Sequence, residues 1–390
     1  MPKDAITYQR APTRSYNERL FIELIRKAGQ MSKAELTRAS GLSAQSATVI
    51  VNRLVAEGLL RAGTSVKGKV GQPSTPYSLD PDGALSIGVK VGRRSLEVVS
   101  MAFDYTIIRR TVRRYEFPQL ETIRQDLMVA IAEQLDDLSS YRKARVVGIG
   151  IARPDDLSAW EETVGAPKGA MAGWAQADLS GALSAQFNLP VRTLNDASAA
   201  CLAEIAVGNS ARHDTFAYFY IGTFIGGGIA LGGRLYNGRH NLAGSFASTP
   251  KGAVTHGIAP QLLERTSLRH LEQQALAVGV TMDSFYKPAM LEPKSKEIFN
   301  KWLEEAAPQI AFAAVCAQAF IDPDAIVIDS SLSPALTLEL INAVETAIAT
   351  LYDKRGLAQV KVVAGENGIA ARAIGSGILS FLSQFGLEPT

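Results

Sequence analysis

A chain of 390 residues, 47% apolar and 20% charged, has room for two or three packed domains and is too balanced for a disordered tail. Its strongest apolar stretch, residues 310–320, falls well short of the about 20 residues a spanning helix needs, and the Met1-Pro2-Lys3-Asp4 start lacks a signal peptide's apolar core, so the expected address is cytoplasmic, with no membrane partner. The net charge of +2 conceals two unlike parts: residues 1–80 carry 12 Lys and Arg against 6 Asp and Glu, and the remainder 28 against 32, as expected if only the front end meets a polyanion.

In chain order, residues 15–28 place Leu20, Leu24, Ile25 and Ala28 on one helical face, and Gly29 supplies a stop. Ser32-Lys33-Ala34-Glu35 reads as a capping box, the Ser32 hydroxyl accepting from the Glu35 amide and the Glu35 carboxylate from the Ser32 amide, with Met31 and Leu36 placed as a hydrophobic staple. The helix so opened ends near Ser40, because Gly41 can turn left-handed, and Ser43 then caps a third helix. In that helix Ala47, Ile50, Val51 and Leu54 point inward, while Gln45, Ser46, Val49, Asn52 and Arg53 lie mainly on the other side. Such a small, hydrogen-bonding face suits a major groove. Glu57-Gly58-Leu59-Leu60 ends the helix, and residues 61–79 hold Lys67, Lys69, four glycines or prolines between Gly68 and Pro76, and Tyr77-Ser78-Leu79 as a returning strand. A plain three-helix bundle would share the first half. The basic wing turns the reading to a winged helix-turn-helix over 1–80, with Ser43, Gln45, Ser46, Thr48, Asn52, Arg53, Lys67 and Lys69 facing DNA.

From Leu85 the pattern changes to strands expected over 85–91, 96–103 and 106–115, a helix over 121–138 and a buried strand over 145–151, which is α/β architecture. Then follow the strand-like Val191-Arg192-Thr193-Leu194, an Ala-rich helix over 196–206, a strand over 216–221, a glycine run over 222–229, a strand over 325–328 and helices over 334–352 and 368–385. No sequence repeat is visible, although two similar lobes fit this order. Asp196, where strand meets helix, either caps the helix or stands as a carboxylate able to accept a hydrogen bond or a proton from a sugar hydroxyl. The glycine run either lets backbone amides approach a phosphate or a flat ligand, or makes a tight turn.

As an ordered set, Asn195-Asp196-Ala197-Ser198-Ala199-Ala200, the 222–229 run followed by Gly233-Arg234-Leu235-Tyr236-Asn237-Gly238, and Ala243-Gly244 resemble the signature of the ROK family (repressors, open reading frames and kinases of bacteria). Gly148-Ile149-Gly150-Ile151, Gly173-Trp174 and Asp322-Pro323-Asp324-Ala325-Ile326-Val327-Ile328 extend the resemblance over most of 83–390. It implies an actin-like (ribonuclease H-like) fold of two α/β lobes around a sugar: a first lobe over 83–195, completed by the C-terminal helix 368–390, and a second over 196–367. A preceding winged helix-turn-helix is the arrangement of the family's transcriptional regulators. In kinase members the Asp of Asn-Asp serves as base, and position 196 keeps it.

The departures from the family pattern decide the expected chemistry. Kinase members open this domain with Asp-x-Gly-Gly-Thr, a turn that approaches the nucleotide phosphates and their metal, whereas this chain reads Lys90-Val91-Gly92-Arg93-Arg94, and Asp329-Ser330-Ser331 replaces the adenosine-side glycines. Where the family has Gly-Glu-x-Gly-His, this chain has Gly244-Ser245-Phe246-Ala247-Ser248; the cysteine-rich zinc loop is missing, Cys201 and Cys316 stand far apart, and His256 reads as a surface loop residue. No metal or other cofactor is therefore expected. Glu264 matches the family's second sugar-contacting Glu, although helix surface charge explains it too. The expectation is a non-catalytic body holding a neutral sugar or sugar derivative near Asn195, Asp196, Ser245, Ser248 and Glu264, in a dimeric or tetrameric repressor of carbohydrate-use genes that binds operator DNA. A sugar kinase with a DNA-binding appendage and a regulator controlled by a protein partner are the alternatives.

Overall fold

The computed structural model describes residues 14–65, 74–208, 213–250, 259–287, 290–351 and 359–387, so that Lys67, Lys69 and His256 lie outside the described residues. The chain divides into two compact units, Met1–Asn195 with Ser376–Thr390, and Asp196–Gly375.

The first unit begins with three helices, α1 (Tyr16–Ala28), α2 (Lys33–Ser40) and α3 (Ala44–Ala56). The Ser32–Glu35 capping box forms as expected, with the Ser32 amide donating to Glu35 Oε2 at 2.7 Å, and these bonds hold the Glu35 carboxyl below its ordinary range. A second box, Ser15 with Glu18, opens α1. Gly41 ends α2 at φ 69°, and Ser43 caps α3 by accepting from the Ser46 amide. On α1 the buried face is Glu18, Phe21, Ile22 and Ile25, with Leu20 and Leu24 half-buried and Ala28 exposed. That face is rotated from the expected one because Phe21 and Ile22 have the most apolar surface to hide, while Glu18, buried beside them, is neutralised by Arg53 at 3.0 Å. Ala47, Val51 and Leu54 of α3 are buried and Ile50 half-buried. An antiparallel sheet, in the order β1 (Met31–Ser32), β3 (Pro76–Leu79), β2 (Leu60–Ala62), completes the head, Tyr77 pairing with both Met31 and Ala62.

The rest of this unit is a five-stranded sheet in the order β6-β5-β4-β7-β8: β4 (Leu85–Val91), β5 (Ser95–Ala102) and β6 (Ile107–Arg114) form an antiparallel meander, and β7 (Val146–Arg153) and β8 (Val191–Asn195) add in parallel. Helices α4 (Leu120–Asp136) and α5 (Leu179–Phe187) contribute Leu127, Ile131 and Leu183 to a core shared with Ile87, Val89, Ile149 and Ile151.

The second unit repeats that plan. Helix α6 (Asp196–Val207) leads to β9 (Phe216–Ile221), β10 (Ile225–Leu231) and β11 (Arg234–Leu235), an antiparallel meander, and then β12 (Ala325–Ser330) and β13 (Val362–Ala364) add in parallel, giving the order β11-β10-β9-β12-β13. Numbered within each unit, both large sheets read 3-2-1-4-5. The duplication invisible in the residue string is thus explicit in the topology. Helices α7 (Leu268–Leu276), α8 (Pro293–Ile321) and α9 (Pro334–Leu351) cover one face, around fully buried Phe219, Phe299 and Trp302. The chain ends in α10 (Ala371–Phe385), whose residues from Ser376 on belong to the first unit. Among the described residues no helix is long and apolar enough to cross a membrane.

Candidate nucleic-acid interface and ligand site

On the head, Gln45, Val49 and Asn52 are exposed at positions i, i+4 and i+7 of α3, forming one outward stripe in which Val49 is 62% exposed. The other expected DNA-facing residues are more engaged. Ser43 and Ser46 share a hydroxyl contact of 2.9 Å at the helix start, Thr48 is half-buried and donates to the Ala44 carbonyl at 2.8 Å, and Arg53 pairs with Glu18 and Glu57, both at 3.0 Å. Hydrogen bonding to Glu57 and the charge of Glu18 raise the Arg53 pKa further, so its charge is fixed. One residue escaped the sequence reading: Lys33, which opens α2, donates to Asn52 Oδ1 at 2.8 Å and lies 5.6 Å over the Tyr77 ring. Lys33 is nineteen positions from Asn52 in sequence. Only the turn between α2 and α3 brings them together.

In the second unit the glycine run makes a turn and then continues into a strand. Gly222-Thr223-Phe224 makes the turn, and Gly226, Gly227 and Gly228 lie inside β10. Their missing side chains make room for protein: a Cβ on Gly226 would fall 2.6 Å from Ala197 Cβ, one on Gly228 2.5 Å from Cys201 Cβ, and one on Gly227 2.3 Å from the Phe246 ring and 2.8 Å from the Gly244 carbonyl. Helix α6, which Asp196 begins, thus packs on one face of β10, and the segment bearing Ser245 and Ser248 packs on the other, with Phe246 stacked on Phe219 at 4.4 Å. The segment bearing Glu264 docks on the turn, Ser267 Oγ accepting from the Ile225 amide and the Leu268 amide donating to the Gly222 carbonyl, both at 3.0 Å. Asp196, Ser245, Ser248 and Glu264 are therefore all carried by elements packed on one strand. Ser245, Ser248 and Glu264 are exposed, and the Glu264 carboxylate accepts from the Gln261 amide at 2.9 Å. Asp196 is more enclosed, with Arg372 Nη1 3.6 Å from its Oδ2. In the first unit, Asn195 closes β8 and donates to Asp155 at 2.9 Å.

At the turn between β4 and β5 the cationic side chains are engaged with neighbours. Lys90, buried at the end of β4, curls under the turn to donate to Ser95 Oγ at 2.5 Å, and a Cβ on Gly92 would sit 2.8 Å from its Nζ. Arg93 stacks 4.3 Å over Trp160, Arg94 donates to the Glu116 carbonyl, and the Tyr115 hydroxyl donates to the Gly92 carbonyl at 2.6 Å. In the second unit Asp329 is likewise buried, accepting from the Tyr218 hydroxyl at 3.0 Å and from the amides of Ser330 and Gly368, and burial raises its pKa. Beside it Glu204, 1% exposed, accepts from the Glu366 amide at 3.1 Å and from Asn367 Nδ2 at 2.9 Å. Burial, helped by the nearby Asp329 charge, pushes Glu204 up to about 7. Nothing in the sequence pairs Glu204 with Asp329, and the sequence reading missed the cluster. Among the described residues no group of three or more His, Cys, Asp or Glu side chains could hold a metal ion.

Residues 86–380 match the ROK family, and residues 16–61 match a winged helix-turn-helix DNA-binding family. The xylose repressor of Bacillus subtilis is 24% identical over 230 residues, 59% of each chain. The crystal structure of a ROK family transcriptional regulator, a homolog of the E. coli MLC protein, superposes with a TM-score of 0.67 at 19% identity, covering 96% of this chain and 98% of that one. A ROK family glucokinase from Streptomyces griseus, solved with glucose and AMPPNP, superposes at 0.58 with 21% identity over 76% of this chain and 99% of its own. At these identities the two structures establish the fold.

Proposed function

The chain belongs to the ROK family, and from that premise we propose that it is a sugar-responsive DNA-binding transcriptional repressor of carbohydrate-use genes, whose body binds its ligand without phosphorylating it. The observation that supports this reading is the burial of Lys90 and Asp329: Lys90 packs under the first turn, and Asp329 is hydrogen-bonded in the interior, at positions where the family's kinases carry other residues. The body retains the sugar-side carboxylate of Asp196, and the head that precedes it presents Gln45, Val49 and Asn52. The natural pairing of these parts is an effector-controlled reader of DNA. Asn195, Asp196, Ser245, Ser248 and Glu264 hold the sugar, and Gln45, Asn52 and Lys33 meet base edges and phosphates, with Ser43, Ser46, Thr48, Arg53, Lys67 and Lys69 fixing the register. Two heads in a symmetric dimer read two half-sites, and sugar occupancy shifts the population between arrangements of different DNA affinity. The repressor-named relative makes D-xylose the first probe.

The test is anisotropy with a duplex selected from a random library, titrated with protein with and without D-xylose, D-glucose and other monosaccharides. Asp196→Ala should abolish the sugar response in a chain that still binds the duplex, and Asn52→Ala should weaken duplex binding while leaving sugar binding intact. No preference over random DNA at physiological salt refutes the reading. Retention of Asp196 is the observation that favours the kinase alternative. Sustained ADP release with any sugar of the panel, lost in Asp196→Ala, would establish it.

A further inference from the structure

Helix α10 is shared by both units, which divide between its residues Gly375 and Ser376. Each end is tied to something functional. In the first turn, Arg372 holds Asp196 at 3.6 Å while its other terminal nitrogen lies 3.4 Å from the Tyr220 hydroxyl and its guanidinium 4.7 Å over that ring. At the last turn, Phe381 and Phe385 close on Phe103 with ring centres 5.7 and 4.7 Å apart, and the Gly386 carbonyl accepts from Arg19 of α1 at 2.9 Å. Between its ends the helix has no slack. A Cβ on Gly375 would fall 1.7 Å from the Ala199 carbonyl of α6, and one on Gly150 of β7 would fall 1.8 Å from the Ser376 carbonyl.

The head grips this end firmly. Arg19 and Arg26, seven residues apart, share a face of α1. Arg26 donates to the Phe103 carbonyl and lies 3.9 Å over the Tyr105 ring, while Arg14 stacks 5.3 Å over Phe385 and pairs with Glu57 at 2.7 Å. Tyr105 holds φ 71°, a conformation a bulky side chain adopts only when its surroundings impose it. Arg145 donates to the carbonyls of Gly83 and Glu57 at 2.8 and 3.0 Å, fastening the end of α3 to the sheet. The reading helix is thus clamped to the lobe rather than hung on a tether.

We propose that α10 is the rod that carries ligand occupancy to the head: a ligand engaging Asp196 takes that carboxylate from Arg372, and the released first turn is felt as a changed seat for Arg19 and Arg26, which re-aims α3. This deepens, and rests on, the reading of Asp196 as a ligand residue. The close packing along α10 makes its response a choice between discrete positions rather than soft bending.

The test uses the full chain and a fluorescent duplex recovered from a random library by the wild-type protein. Arg372→Gln, which breaks the Asp196 pair without any sugar, is expected to change the affinity for that duplex by about fivefold or more. In a chain also carrying Arg19→Ala and Arg26→Ala, the same substitution should change it by less than about twofold. An undiminished effect in the uncoupled chain, or none from Arg372→Gln alone, overturns the proposal. Hydrogen exchange over residues 16–28 and 376–386 reads the same event: faster exchange in Arg372→Gln supports the rod, and unchanged protection refutes it. Should the double-alanine chain fail to fold, Phe385→Leu supplies the uncoupled background. D-Xylose binding the uncoupled chain in calorimetry without moving its DNA affinity also supports the rod. D-Xylose binding no chain at all counts against the choice of ligand and leaves the Arg372→Gln result to decide.

Discussion

Replacing Glu204 by Gln should change how the stability of the second unit depends on pH. Glu204 is nearly inaccessible, it accepts from the Glu366 amide and Asn367, and the acidic Asp329 and Glu366 lie near it. Its carboxyl therefore titrates near about 7 when folded against an ordinary 4.5. The folded chain holds a proton that the unfolded chain has released, so stability falls as pH rises from about 4.5 to about 7 and levels off above. At about 1.4 kcal/mol per tenfold, the displacement amounts to roughly 3 kcal/mol lost by pH 8 relative to pH 4. Gln keeps an acceptor for the Glu366 amide and has nothing to titrate. Urea unfolding of wild type and Glu204→Gln, read by tryptophan fluorescence at several pH values, isolates this residue because other groups cancel in the difference. The variant should gain on the wild type by roughly 3 kcal/mol between pH 4 and pH 8. A difference constant to within about 1 kcal/mol would show that the buried carboxylate is solvated in a way its surroundings do not indicate.

Three further outcomes are expected. Gly375→Ala, whose Cβ would meet the Ala199 carbonyl at 1.7 Å, should destabilise the chain by about 3 kcal/mol, and a melting temperature equal to wild type would contradict the close approach of α10 and α6. Ser32→Ala, removing the hydroxyl that accepts from the Glu35 amide, should cost about 1 kcal/mol in urea unfolding, and no loss would mean the cap is replaced by water. Asn52→Ala should weaken binding to a selected duplex by about 1–3 kcal/mol with little change in salt slope, whereas Lys33→Ala should reduce that slope; the reverse pattern would exchange their roles.

The head was legible because its signals are local: the Ser32 cap, the Gly41 turn and the Ser43 start each involve residues within four positions of one another. Strands 85–91 and 216–221 were legible for the same reason, as short apolar runs with polar breaks. The buried face of α1 was misjudged because its partner Arg53 comes from α3, and charge neutralisation of Glu18 is not written in periodicity. The glycine run left its role open because bare backbone looks alike whether it faces a phosphate or a neighbouring helix. What decides is Ala197 and Cys201, whose distance from β10 only the fold sets. The Glu204 and Asp329 cluster draws on α6, β9, β12 and the segment after β13, and no window of sequence contains it.

The buried Asp329 also constrains how such a chain can evolve. Restoring glycine at that one position would strip the Tyr218 hydroxyl and the Gly368 amide of their acceptor in the interior, and restoring aspartate at position 90 alone would remove the ammonium that Ser95 meets. Each single step toward a nucleotide site thus passes through a less stable intermediate. A descendant has to compensate at each place separately.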